Sequence, residues 1–352
     1  MVRTHPLDQP EIRSIIASNL GLKDLASCVC VSQDWKDSFT PPLYKSVVVS
    51  SRGPRMESVE RNKHLIKSLK VQRFKVENHF SRSARNTVVL NILTNSTLAT
   101  LDLRIKSFGD NGAQVLAEAL KTNSTLIALK MRGSSIGDNG AQALAEALKT
   151  NSTLTTLDLS GNSIGDNGAQ VLAIALKTNL TLTTLKLRNN SIGDNGAQAL
   201  AEALKTNSTL TALDLTGSSI GENGAHALAE ALKTNSTLTS LNLSGNSIRD
   251  NGAQVLAMAL KTNSTLITLK LRSSSIGDNG IQALAEALMI NSTLFNTIGE
   301  NGAQAPAEAL KTNSTLTTLK LSSNSIGGNG AQALAEALKT NSTLTTWNRT
   351  TT

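Results

Sequence analysis

One unit of twenty-eight residues, NSTLTTLDLSGNSIGDNGAQVLAIALKT from Asn151 to Thr178, restricts what this chain can fold into more than any other feature. Near-copies begin at Asn95, Asn123, Asn179, Asn207, Asn235, Asn263, Asn291, Asn313 and Asn341, and of the steps between them only that from Asn291 to Asn313 falls short of twenty-eight, by six residues. A fixed period in this range is the signature of a stacked array, in which each unit buries its apolar face against its neighbours. A repeat of this kind specifies a surface before it specifies any chemistry.

Within the template, Leu154, Leu157 and Leu159 follow L-x-x-L-x-L, and the last two alternate onto one side of a predicted strand. Asn162 then stands in the turn, where its side-chain amide can satisfy backbone groups that no ladder reaches. Asn190, Asn246 and Asn324 repeat it, whereas Lys106, Ser134, Ser218 and Ser274 replace it; a serine makes fewer such bonds. Ile164 returns to the core. Asp166-Asn167-Gly168 opens a predicted helix with an acidic residue at its positive end. Ala169, Leu172, Ala173 and Leu176 share the face turned to the strand. Lys177 lies at the helix's negative end, and Asn179 is expected in the left-handed conformation that terminates it. In the short copy LFNTIG stands where the preceding copy has LITLKLRSSSIG, and Pro306 replaces a leucine. The strand should be lost there and the helix shortened, since an interior proline costs about 3 kcal/mol.

This period and its GAQ-LAEAL helix resemble the ribonuclease-inhibitor class of leucine-rich repeats, over residues 65 to 352. The resemblance implies an α/β solenoid, a horseshoe with parallel strands on the inner arc and helices on the outer. Residues 65–94 read as a divergent capping repeat, because Ile66, Leu69 and Val71 keep the strand spacing, and 95–352 as the regular array.

Ahead of the array, residues 1–50 read as short amphipathic helices, with Ile12, Ile15, Ile16 and Leu20 on one face and Pro41-Pro42 as a stop. Pro10-Glu11-Ile12, Leu20, Lys23-Asp24-Leu25, Cys28 to Val31 and Trp35 resemble an F-box, in the form that precedes leucine-rich repeats in fungi. That family docks on the SKP-type adaptor of a cullin (SCF) ubiquitin ligase. By position, the resemblance assigns the docking surface to Pro10, Ile12, Ile15, Leu20, Leu25, Val29 and Trp35. The family usually begins Leu-Pro-Pro-Glu-Ile, whereas Asp8 and Gln9 precede Pro10 here. A helical cap over the first repeat is the alternative.

The net charge of +8 is unevenly placed: residues 51–94 carry ten basic groups against three acidic, and 95–352 nineteen against eighteen. Residues 51–64 read as a basic, solvated linker. Inside the array, the copies differ mainly at the strand positions that face away from the helices. One column runs Asp102, Lys130, Asp158, Lys186, Asp214, Asn242, Lys270 and Lys320; the next runs Arg104, Arg132, Ser160, Arg188, Thr216, Ser244, Arg272 and Ser322. Alternating charges in the first column should compensate one another along the sheet, at about 0.2–1 kcal/mol per exposed pair. The two columns together hold eight basic and three acidic residues, so the inner face is expected to be basic and to hold an acidic protein partner. Aromatic stacking residues are absent from it, which argues against nucleic acid.

Enzymatic chemistry finds little support. Gly133 to Gly137, Gly161 to Gly165 and Gly217 to Gly221 match G-x-S-x-G, but as copies of a repeat consensus that no His or Asp completes into a triad. There is no Walker-type phosphate loop and no cofactor motif, and His5, His64, His79 and His226 lack metal-ligand spacing. The N-terminus shows no signal-peptide core and the chain no membrane-length apolar run, so an intracellular, cytoplasmic or nuclear protein is expected. Cys28 and Cys30, poorly placed to bridge, and the repeated N-S-T sequons then read as core thiols and turn residues. The sequence reading is a non-enzymatic adaptor, with a plain protein-binding scaffold as the alternative and a GTPase-activating protein as a third class on fold analogy alone.

Overall fold

The computed structural model describes residues 46–49, 66–72, 97–105, 108–277, 279–280, 283–284, 287, 318–320 and 346–348. Nine parallel strands form one sheet in chain order: β1 (Ser46–Val49), β2 (Ser68–Gln72), β3 (Thr100–Arg104), β4 (Ala128–Lys130), β5 (Thr156–Asp158), β6 (Thr184–Lys186), β7 (Ala212–Asp214), β8 (Ser240–Asn242) and β9 (Thr268–Lys270). From β3 onward a helix connects each strand to the next: α1 (Gly109–Thr122), α2 (Asp138–Leu148), α3 (Asp166–Leu176), α4 (Asp194–Leu204), α5 (Glu222–Leu232) and α6 (Arg249–Leu260). Successive helices pack on one another in that order, giving a helix layer against a sheet layer.

The core is the leucine skeleton of the repeat. In the template unit Leu154, Leu157, Leu159, Ile164, Ala169, Leu172, Ala173 and Leu176 are all buried, together with Ala175. The register places Leu101, Leu129, Leu157, Leu185, Leu213, Leu241 and Leu269 side by side, each shifted by one repeat. Truncating one such buried leucine to alanine costs about 2–5 kcal/mol.

Two side-chain ladders tie the units together. Asn162 Oδ1 accepts from Ser134 N and Ile136 N of the preceding unit, and its Nδ2 donates to Met131 O and Leu159 O. Asn246 repeats this set, whereas Ser218 reaches only the Leu187 carbonyl through Oγ, the shortfall expected of serine. The second ladder corrects the expected helix terminator. Asn179 keeps a negative φ, and Lys177 at the helix end is still in the right-handed helical region. Asn179 is buried instead. Its Nδ2 donates to Leu148 O and its Oδ1 accepts from Thr181 N and Leu182 N, so the amide that a glycan would need is engaged. Asn151, Asn207, Asn235 and Asn263 are buried in the same way.

The acidic residue at each helix start also does something other than expected. Asp138 does not cap α2, whose first residue it is. Its Oδ1 accepts from Gly165 N at 2.7 Å and Gly168 N at 3.0 Å, capping α3 of the following unit.

Residues 46–49, read from sequence as the end of a helical segment, form a strand that pairs in register with β2, Val47 opposite Leu69. Val47-Val48-Val49 is a β-branched run, which suits a sheet better than a helix. Beyond β9, β10 (Thr318–Lys320) and β11 (Thr346–Asn348) pair in a separate two-stranded sheet, on the far side of the short copy. The short copy itself and Pro306 lie outside the described residues.

Candidate partner-binding face

Because the leucines of each strand point to the helices, the residues between and beyond them form the opposite face. The register brings the first column together as Lys70, Asp102, Lys130, Asp158, Lys186, Asp214, Asn242 and Lys270, one per strand. Neighbouring strands are about 4.8 Å apart. Lys70 belongs to this column and was missed in the sequence because the capping repeat is divergent. Its position between Leu69 and Val71 was the available signal.

The column does not work by Lys–Asp compensation between adjacent strands. Asp158 is fully buried, and its carboxylate is turned toward the following turn by its own neighbour: Ser160 N and Oγ donate to Oδ1 at 3.1 and 2.6 Å. That orientation delivers Oδ2 to Arg132 Nε, at 2.6 Å, in the preceding unit. Burial pushes the Asp158 carboxyl up, but the hydrogen bonds from Ser160 and Arg132 outweigh it and hold the group below the ordinary carboxylate range. The same hydrogen bond raises the Arg132 guanidinium. Asp102, also buried, is paired with Arg104 of its own strand at 3.3 Å. Asp214 is half-buried and accepts from Thr216 N at 3.0 Å.

Lys70, Lys130, Lys186, Arg188, Lys270 and Arg272 remain. None of them forms an ion pair among the described residues, and Arg188 and Lys270 are exposed. Two of the three acids of the face are paired one to one with arginines of the second column, so the basic surplus is carried by the cations left outside those pairs. Lys320 lies in β10, level with Asn348 of β11. Pro10, Ile12, Ile15, Leu20, Leu25, Val29 and Trp35, together with Cys28, Cys30 and the linker at 51–64, lie outside the described residues.

The serine motifs do not assemble a reactive centre. Ser135 and Ser219 have positive φ in their turns, but the histidine among the described residues, His226, is exposed on α5. No metal-binding group of three His, Cys, Asp or Glu is found among the described residues, nor any helix long and apolar enough to cross a membrane.

Comparison with known proteins agrees with this architecture. A leucine-rich-repeat family model matches residues 122–145, 150–173, 178–201 and 312–335, and the TMOD/LMOD leucine-rich domain model matches 190–297. The chain thus carries leucine-rich repeats, stacked as an α/β solenoid. Among solved structures, the yeast Rad7–Elc1 complex is similar over 91% of this chain and 90% of that one, with 12% identity and a TM-score of 0.51. The leiomodin-1 actin-binding site 2 structure is 27% identical, covering 39% of this chain and 80% of that one, with a TM-score of 0.36. No curated protein matches. The residues matched by the family models do not include the F-box-like segment.

Proposed function

We propose that this protein is a non-enzymatic adaptor whose inner face holds an acidic protein. Leucine-rich repeats are protein-binding modules, and one observation carries the choice of partner: Asp102 and Asp158 are sequestered by arginines, while Lys70, Lys130, Lys186, Arg188, Lys270 and Arg272 of the same face form no ion pair among the described residues. Such a face attracts acidic partners over roughly a Debye length, about 8 Å at physiological ionic strength. Salt-dependent retention of the full chain on immobilised polyglutamate tests it. Replacing Lys130, Lys186, Arg188, Lys270 and Arg272 together by glutamine should abolish retention; unchanged retention overturns the reading. Arg132 is left intact because it supports the buried Asp158.

The second half of the proposal assigns residues 7–49 to an SKP-type adaptor, as the substrate-recognition subunit of a cullin ubiquitin ligase in the cytoplasm or nucleus. Its support is the F-box resemblance alone. Co-purification with such an adaptor, lost on Trp35→Ala, is the test. A scaffold without any ubiquitin role is the competing reading, and β1 favours it: the end of the F-box-like segment is a strand of the solenoid sheet, as a cap would be.

A further inference from the structure

The free cations of the inner face are not equivalent, and their placement narrows the kind of acidic partner. Lys130 lies between Asp102 and Asp158, and Lys186 between Asp158 and Asp214. Lys270 has the neutral Asn242 beside it on β8. In the second column Arg188 lies between the Ser160 and Thr216 positions, and the Arg272 backbone amide donates to Ser244 Oγ, at 3.3 Å. Arg132, beside Lys130, is taken by Asp158, so the strands on which both a lysine and an arginine stay out of ion pairs among the described residues are β6 and β9, with the dyads Lys186/Arg188 and Lys270/Arg272.

Between the dyads lie β7 and β8, which carry only short side chains on this face: Asp214, Thr216, Asn242 and Ser244, all half-buried. Long basic side chains therefore flank a trough with a short, polar floor. From β6 to β9 there are three strand spacings, so the walls are about 14 Å apart. That width exceeds what one extended chain fills and matches an α-helix with its side chains, about 10–12 Å across. Asp214 and its hydrogen-bonded Thr216 on the floor repel a helix that is acidic all round.

Resting on the protein-binding reading above, we infer that the trough between Lys186/Arg188 and Lys270/Arg272 docks one acidic helix, lying along the strands, with carboxylates on its two flanks and neutral polar residues toward Asp214. Charge complementarity sets both the partner and its orientation.

The test is fluorescence anisotropy of the full chain with a labelled helical peptide of about two to four turns, glutamates on both flanks and serine or glutamine between. Glutamine replacements avoid placing a third acid beside Asp158 and Asp214, and circular dichroism establishes that each variant is folded. K186Q/R188Q and K270Q/R272Q should each weaken binding about tenfold or more, K130Q should leave it within about twofold, and D214N should improve tolerance of a peptide acidic on all faces. Three results overturn the trough: equal losses from K130Q and the dyads, equal binding of a proline-interrupted peptide of the same charge, or tighter binding of single-stranded poly(dT). The first two leave the basic-face reading standing, whereas the third replaces it with nucleic acid. Polyglutamate retention by the five-fold glutamine variant overturns that reading without reference to the trough.

Discussion

Asp138 and Gly168 belong to successive repeats, thirty residues apart, yet the Asp138 carboxylate caps the helix whose first turn contains Gly168. Asp110, Asp166, Asp194 and Asp250 make the same link to Gly140, Gly196, Gly224 and Gly280. The glycine is required by this approach: a Cβ on Gly168 would sit 2.6 Å from Asp138 Oδ1 and 2.7 Å from Ile164 Cγ2. Each clamp offers an anion to two unsatisfied amides at the positive end of a helix.

Removing one clamp should therefore destabilise the following repeat, not its own. Asp138→Ala is expected to cost about 2–3 kcal/mol, with Asp138→Asn intermediate. Native-state hydrogen exchange locates the effect: protection should fall at Gly165 to Leu172 of α3 while the amides of α2 are spared. Loss centred on α2 would contradict the assignment.

Among the described residues, the junction after α5 lacks the clamp. Glu222 replaces the aspartate and Arg249 the glycine, so Glu222 accepts from Asn251 Nδ2 at 2.9 Å, and Arg249 holds a left-handed φ of 54° with its amide on Ser274 O. Two residues depart together, and restoring one alone does not restore the geometry. Glu222→Asp with Arg249→Gly should stabilise by about 1–2 kcal/mol, relieving strain and regaining two bonds, whereas Glu222→Asp alone should be near neutral. A double-mutant cycle in urea measures the coupling; additivity would show the two changes to be unrelated.

What was legible in the sequence, and what was not, divides along intra-repeat and inter-repeat lines. The leucine and alanine positions follow from period and spacing, because the burial of Leu157 or Ala169 is decided within one unit. The serine substitutions in the asparagine ladder were legible although the ladder joins neighbouring units, because a hydroxyl makes fewer bonds than an amide wherever its partners lie. Asp138, Asn179 and Asp158 were misread because each spends its side chain on a neighbouring repeat or on a bond that re-aims it. A linear pattern places Asp138 beside its own helix, and nothing in the one-unit consensus shows the Gly165 amide arriving from the next. Lys130 and Asp158 are adjacent by register, but the Ser160 hydroxyl turns the carboxylate to Arg132. β1 was obscured because its partner repeat is too divergent to align.

The serine rungs are a place to add stability. The Ile164 amide is taken by Asn190 Oδ1, at 3.1 Å, whereas the corresponding Ile192 amide, one unit on, faces Ser218 and finds no acceptor among the described residues. Ser218→Asn should supply one and raise stability by about 1 kcal/mol, and Asn190→Ser should cost about 1–3 kcal/mol by stranding buried backbone groups. Thermal melts of the two variants should move in opposite directions. A fall in Tm with Ser218→Asn would mean that the turn has no room for the larger side chain.

Acid stability should depend on Asp158 with a definite sign. Its folded-state carboxyl lies below the ordinary range, so in the unfolded chain, where the value is about 3.9, it takes up a proton at higher pH than in the folded protein. The unfolded state then binds more protons as pH falls through that window. The stabilisation by the Ser160 and Arg132 hydrogen bonds is complete above the unfolded value and is lost as pH drops from there through the folded one. Asp158→Asn should lower stability at pH 7 and flatten the Tm profile between about pH 5 and 3, because asparagine has no proton to gain. Arg132→Ala should cost about 2 kcal/mol at pH 7 and act through the same carboxylate, so its penalty should shrink toward pH 3 and vanish in the Asp158→Asn background. A penalty for Arg132→Ala that persists undiminished at pH 3 would show that the arginine stabilises the sheet by packing of its stem, and that the buried ion pair is incidental to stability.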